Sequence, residues 1–132
     1  MKKKIAITLG DPSSIGSEIV LKSFLNNKFD HDKFVLIGNR ASVLPEGLVF
    51  PQGVEFVEIM PEVNNFEEGK ISKVSGEVSF RSLELACEMA NKSEISAIVT
   101  APVSKESINL AGYHFSGQTE ILEHFLSKNG ER

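Results

Sequence analysis

The segment SAIVTAPVSKESINLAGYHFSGQTE, Ser96 to Glu120, decides how the rest of the chain is read. It opens on the apolar run Ala97 to Val99, whose composition predicts a buried strand. The run breaks at Thr100-Ala101-Pro102, because Pro102 has no N–H with which to continue a ladder. Thr100, Ser104, Lys105, Asn109, His114, Gln118, Thr119 and Glu120 then crowd the remainder. In an open α/β sheet, ligands sit outside the carboxyl ends of the strands, so a strand that runs into a dense polar loop is a site candidate. A solvated connection between strand and helix has the same composition, and this segment alone does not separate the two.

Working outward, Lys3 to Leu9 reads as a first strand ended by Gly10-Asp11-Pro12. Ser13 or Ser14 is the expected N-cap of a helix running to about Asn26, with Ile15, Ile19, Val20, Leu21, Phe24 and Leu25 as its apolar stripe. Phe34 to Gly38 is a second strand and Asn39 to Leu44 a short helix. Pro45-Glu46-Gly47 is turn chemistry. Val54 to Ile59 alternates apolar and acidic residues, the pattern of an edge or half-exposed strand. Pro61 to Ser72 has loop composition, with Glu62, Glu67 and Glu68 as solvated charges. The longest helix runs from Val74 or Ser75 to about Asn91 with Val78, Leu83, Leu85, Ala86, Met89 and Ala90 on its apolar face. Ile95 to Val99 is a strand, and Ser104 to Leu110 a short helix closed by Gly112. A last helix runs from Thr119 to about Lys128 and stops at Asn129-Gly130. Strands that alternate with helices predict one α/β domain over residues 1–132, with a largely parallel sheet and helices on both faces.

Composition narrows the function. The chain has 132 residues, 41% hydrophobic and 24% charged, with a net charge of −4, which is the profile of a globular protein and offers no basic footprint for nucleic acid. No run is long enough for a membrane span, and Lys2-Lys3-Lys4 leads into a stretch too short and polar for a secretion signal. Cys87, the single cysteine, falls in an apolar helical pattern and reads as a buried, inert thiol in a cytoplasmic protein.

Two further features carry chemistry. Gly10-Asp11-Pro12-Ser13-Ser14-Ile15-Gly16 is a strand-to-helix turn that can aim N–H groups at an anion or a nucleotide. It is neither a dinucleotide fingerprint, since Pro12 takes the second glycine position, nor a P-loop, since no Gly-Lys-Ser/Thr follows. His114, Gln118, Thr119 and Glu120 cluster, but no paired His or Cys spacing supplies a metal site, and His31 and His124 stand alone. Ser104 beside Lys105 lacks a third group to orient it, so no catalytic nucleophile is assigned; Lys105 reads instead as an anion contact.

Taken together, these stretches resemble the 4-hydroxythreonine-4-phosphate dehydrogenases. IAITLGDPSSIGSEI is similar to the family opening IAIT-GDPAGIGPEI; GKISKVSGEVSFRSLELACEMA resembles its G-x-x-S-x-x-x-G helix region. AIVTAPVSKESINLAGYHFSGQTEIL resembles the family segment that ends in G-H-T-E. The resemblance implies an isocitrate/isopropylmalate-dehydrogenase-like fold in a homodimer. It implies oxidation, by NAD or NADP, of the secondary alcohol of 4-phosphooxy-threonine, followed by loss of carbon dioxide on the route to pyridoxal phosphate. A divalent metal (Zn, Mg or Co) is expected to act as Lewis acid on the substrate oxygens.

Carried onto this chain, the resemblance places Gln118 and Thr119 at the family's substrate-binding His-Thr pair. From the residues themselves, Lys105 is a further candidate for a substrate contact, and Gly10, Asp11 and Gly16 of the strand-to-helix turn are the cofactor-binding candidates. Thr119 is a direct match. Gln118 is a departure, since it exchanges hydrogen bonds but carries no positive charge; it points to a weaker phosphate contact or to a related substrate such as threonate or erythronate 4-phosphate. Ser14 replaces the usual glycine and Ser17 the usual proline. Family members continue well past this point, and their metal-binding histidines lie in that later part, so the chain reads as a truncated N-terminal portion, inactive alone, with no metal ligand of its own. The rival outside enzymes is a non-catalytic binding or scaffold domain that pairs with another chain through an exposed apolar patch.

Overall fold

The computed structural model describes residues 3–126. The sheet is built from β1 (Lys4–Thr8), β2 (Phe34–Gly38), β3 (Glu55–Glu58) and β4 (Ile95–Thr100) in the order β3-β2-β1-β4, and every pairing is parallel. Helices α1 (Gly16–Asn26), α2 (Lys73–Asn91), α3 (Lys105–Leu110) and α4 (Gln118–Leu126) complete the chain, with a single 3₁₀ turn at His31–Lys33.

Parallel strands need crossover connections, and these cover both faces. On one face Ile7, Leu9 and Leu36 pack against Val20 and Phe24 of α1. On the other, Ala6, Val35 and Ile37 pack against Val78 and Ala86 of α2. The outer side of α2 then carries Phe80 and Leu83 against Ile108 of α3 and Ile121 of α4. Cys87 is buried, and burial, with the charge of Glu84 adding to it, pushes its thiol up to about 11, which keeps it protonated and unreactive.

Four expectations are corrected. Neither Ser13 nor Ser14 caps α1; Ile15 sits at that position without a side-chain cap, because Ser13 is drawn away to a 2.7 Å contact between its Oγ and that of Ser75. The buried stripe of α1 is Val20, Leu21 and Phe24, while Ile15, Ile19 and Leu25 are exposed, so the apolar face in contact with the sheet is narrower than the sequence pattern. Asn39 to Leu44 is a turn, not a helix. The Asn39 side chain accepts from the Ala41 N–H at 2.8 Å and its carbonyl accepts from the Ser42 hydroxyl at 2.6 Å, a local alternative to helical hydrogen bonds. Finally, Ala97 to Val99 is not buried: β4 lies at an edge, and Ala97 and Val99 are exposed. The expected continuation of α4 to Lys128 and its stop at Asn129-Gly130 lie outside the described residues.

Candidate functional site

At the carboxyl ends of β1 and β4 two loops are sewn together. The Ala101 N–H donates to the Thr8 carbonyl and the Asp11 N–H to the Pro102 carbonyl, each at 3.0 Å. Gly10 sits at φ 76° here, and a Cβ on it would lie 2.1 Å from the Pro102 oxygen. A Cβ on Gly16 would lie 2.2 Å from the Leu9 oxygen. Both glycines are thus required by backbone packing within the protein. The volume a Cβ would fill is occupied by carbonyl oxygens, so these positions do not form an open cradle for a cofactor pyrophosphate.

The same loop reaches two more segments. The Val43 N–H donates to the Pro12 carbonyl at 2.8 Å and the Gly69 N–H to the Ser13 carbonyl at 2.7 Å. Asp11 is 4% exposed and its carboxylate accepts from the Ser13 N–H at 2.8 Å. Burial raises the Asp11 carboxyl above its ordinary range, and the Ser13 hydrogen bond pulls in the opposite direction without cancelling it.

The polar segment after β4 is delivered by α3 and α4. Ser104 caps α3 by accepting from the Ser107 N–H at 3.1 Å, which leaves the following Lys105 exposed, with no ion pair among the described residues. The loop before α4 is fixed at Tyr113: its ring stacks on Phe80 with centroids 3.7 Å apart, and its hydroxyl donates to Glu77 at 2.8 Å. Glu77 also accepts from Arg81 Nε at 2.8 Å. Burial pushes the Glu77 carboxyl up, but the hydrogen bonds from Tyr113 and Arg81 and the charges of Arg81 and Lys73 carry it below the ordinary value. Burial and the bond to Glu77 raise the Tyr113 hydroxyl.

Gln118 and Thr119 open α4. The Ser116 N–H and hydroxyl both donate to Glu120, which holds the entry turn and lowers the Glu120 carboxyl. Thr119 is exposed. Gln118 is half-buried, and its Oε1 is shielded from solvent without a hydrogen-bond partner. An orphaned acceptor beside an exposed hydroxyl, at a helix N-terminus whose first N–H groups have no intrahelical partner, is a place where a polar ligand can bind.

The structure therefore joins Gly10, Asp11 and Gly16 to the Thr100–Lys105 loop, and it places Gln118 and Thr119 on the separate helix α4, which like α3 packs on α2. No hydrogen bond or ion pair among the described residues links Gln118 or Thr119 to Lys105 or Asp11. The sequence reading missed the Tyr113–Glu77–Arg81 network; the i,i+4 spacing of Glu77 and Arg81 was its one visible sign. His31 lies against Phe24 and His124 between Phe115 and Phe125, which explains both without a ligand role. Among the described residues no three His, Cys, Asp or Glu side chains come together to hold a metal, so no metal-dependent step is derived from them. No helix among them is long and apolar enough to cross a membrane.

A parallel α/β sheet with its polar loops gathered at the carboxyl ends defines an α/β protein of the ligand-handling layout. More narrowly, the chain belongs to the family of the pyridoxal phosphate biosynthetic protein PdxA, which matches residues 3–131. It is 37% identical over 135 residues to the 4-hydroxythreonine-4-phosphate dehydrogenase of Zymomonas mobilis, covering 91% of this chain and 40% of that protein. It is 31% identical over 140 residues to the D-threonate 4-phosphate dehydrogenase of Salmonella typhimurium, covering 91% of this chain and 43% of the relative. The crystal structure of the 4-hydroxythreonine-4-phosphate dehydrogenase of Klebsiella pneumoniae superposes with a TM-score of 0.81 at 27% identity, over 94% of this chain and 44% of that one. The chain thus spans less than half the length of these relatives.

Proposed function

We propose that residues 1–132 form the N-terminal α/β portion of a longer, two-lobed cytoplasmic dehydrogenase, homodimeric when complete. The complete enzyme oxidises 4-phosphooxy-threonine with NAD or NADP, with decarboxylation, in pyridoxal phosphate synthesis. The observation that carries this reading is the start of α4, where exposed Thr119 adjoins the orphaned Oε1 of Gln118. In it, the exposed Thr119 hydroxyl and the free N–H groups of the helix start take the substrate phosphate, with the half-buried Gln118 amide beside them. Lys105 adds a positive charge on the neighbouring helix. Gly10, Asp11 and Gly16 shape the loop on the cofactor side; no cofactor contact is derived from them. The metal of the complete enzyme takes its ligands from outside this chain.

A second reading changes the substrate to D-threonate 4-phosphate or a related erythronate. Gln118 favours it, because an uncharged side chain stands where the resemblance expects a histidine.

Calorimetric titration of the chain with 4-phosphooxy-threonine and with D-threonate 4-phosphate tests both readings. Thr119→Ala is expected to weaken binding of the preferred compound about tenfold, the cost of one hydrogen bond to a charged group. Unchanged affinity removes Thr119 from the site, and turnover of either compound with NAD or NADP by this chain alone overturns the view that its site is incomplete.

A further inference from the structure

A layer of hydroxyl groups is enclosed between the carboxyl end of β1 and the first turns of α2. Thr8 and Ser75 are 0% exposed and Ser13 is 2% exposed. The described residues alone shut them off, so no further stretch of polypeptide is needed to cover them. Side chains alternate along a strand, so Thr8 shares the face of Ala6, which packs in one cluster with Val78 of α2. α2 is the crossover between the parallel strands β3 and β4, so it runs back against their direction. Two residues along β1 advance about 6.6 Å, close to one helical turn, which carries Thr8 toward the level of Ser75 and Ser79. The 2.7 Å contact between Ser13 Oγ and Ser75 Oγ ties the loop after β1 to the same end of α2.

The hydrogen bonds of this layer leave protons over. Ser79 Oγ donates to the Ser75 carbonyl at 2.9 Å and Ser82 Oγ to the Val78 carbonyl at 2.7 Å, so both of those protons are used. Ser13 and Ser75 bond oxygen to oxygen, which uses one of their two hydroxyl protons and leaves the other without an acceptor among the described residues. Thr8 Oγ1 has no partner there at all. Buried hydroxyls left unpaired are costly, and a folded protein satisfies them with protein groups or with internal water. We propose that one water molecule is bound inside the protein between β1 and the first turns of α2. It accepts from the Thr8 hydroxyl and from the spare proton of the Ser13–Ser75 pair, and it donates to Ser79 Oγ, whose lone pairs are open. Three such bonds are what a buried water ordinarily makes. Because Ser13 lies two residues after Asp11, the water fastens the turn between β1 and α1 to α2. The site is separate from the substrate reading above.

The sign of one conservative substitution is the first test. Thr8→Val keeps the shape of the side chain and removes its hydroxyl. If that hydroxyl is dry and unpaired, valine relieves it and the urea midpoint rises. With the water in place, valine deprives the water of a partner, and the folded-to-unfolded ratio is expected to fall about fivefold. Thr8→Val combined with Ser75→Ala is expected to lose less than the sum of the two single losses, because both act on the same water. A crystal structure of the 132-residue chain gives a readout independent of stability: a water within about 3.2 Å of Thr8 Oγ1 and of Ser13 or Ser75 Oγ is expected. The proposal is overturned by a Thr8→Val midpoint that is unchanged or higher, by losses that add without coupling, or by clear density that holds no water at that place.

Discussion

Gly76 of α2 passes so close to Ser107 of α3 that a Cβ on the glycine would lie 1.8 Å from the serine's carbonyl oxygen. The approach is stitched by the Ser72 N–H, which donates to the Ser107 hydroxyl at 3.0 Å, while Ser72 Oγ caps α2 by accepting from the Ser75 N–H at 3.1 Å. Gly69, Ser72 and Gly76 are the fixed letters of the G-x-x-S-x-x-x-G pattern. Their spacing follows from a loop turn at φ 74°, a helix cap and a helix–helix contact in succession.

Gly76→Ala separates this contact from simple helix propensity. On propensity alone, alanine gains about 1 kcal/mol over glycine in a helix interior. The contact with Ser107 reverses the sign, because a methyl group driven into backbone forces α3 outward. A net loss of about 3 kcal/mol is expected in urea unfolding, within the range for overpacking a tight interior. A variant as stable as the wild type shows that α3 has slack.

Tyr113→Phe keeps the ring on Phe80 and removes only the hydroxyl that donates to Glu77. Loss of about 1 kcal/mol is expected at neutral pH, the scale of one hydrogen bond to a half-buried carboxylate. The Glu77 carboxyl is lowered from 4.5 in the fold, so what it contributes is fully present above that value and fades as pH falls through its folded-state titration. The penalty for Tyr113→Phe should shrink correspondingly in acid. A penalty that is constant with pH assigns the loss to packing.

Asp11→Asn acts with the opposite slope. Burial raises the Asp11 carboxyl from 3.8, so above that pH the folded chain holds a proton that the unfolded chain has released. The contribution of Asp11 to stability therefore declines as pH rises from 3.8 through the folded-state value and stays low beyond it. Asparagine still accepts from the Ser13 N–H and carries no charge to desolvate. The variant is expected to gain on the wild type with rising pH, read from urea midpoints at successive pH values. A difference that does not vary with pH removes burial of the charge as its cause.

How far the chain was legible from its sequence differs from element to element. β2 was read with its observed ends, because four successive apolar residues closed by Gly38 admit little else. The acidic alternation in Glu55–Glu58 marked β3 as half-exposed, and it is an edge. The same logic failed on β4: Ala97 to Val99 is apolar enough for a buried strand, yet strand order leaves it uncovered, and order is not written in a strand's own composition. Asn39 misled in the other direction, since its amide donates to the carbonyls of Ile59, Met60 and Val63, all 3.0 Å away and about twenty residues on.

In the candidate site, the residue types were visible and their company was not. Gln118 and Thr119 were singled out from the motif, but the orphaned acceptor of Gln118 appears only when its neighbours are in place. The sequence shows Gly10 and Gly16 as the glycines of a strand-to-helix turn; only the fold shows that Gly10 lies against the Pro102 carbonyl of the neighbouring loop and Gly16 against the Leu9 carbonyl of its own connection.

The sequence by itself determined the four strands and the four α-helices, the parallel α/β class and the family, because apolar periodicity and motif spacing are local properties; it erred at Asn39 to Leu44, where long-range hydrogen bonds replace a helix. Tertiary structure alone decided that Ser13 meets Ser75, that the Asp11 N–H bonds to Pro102, and that β4 closes the sheet with an uncharged edge. Those contacts join residues far apart in the chain, and they are set by how the strands are ordered and how closely α2 packs on α3, which no single segment specifies.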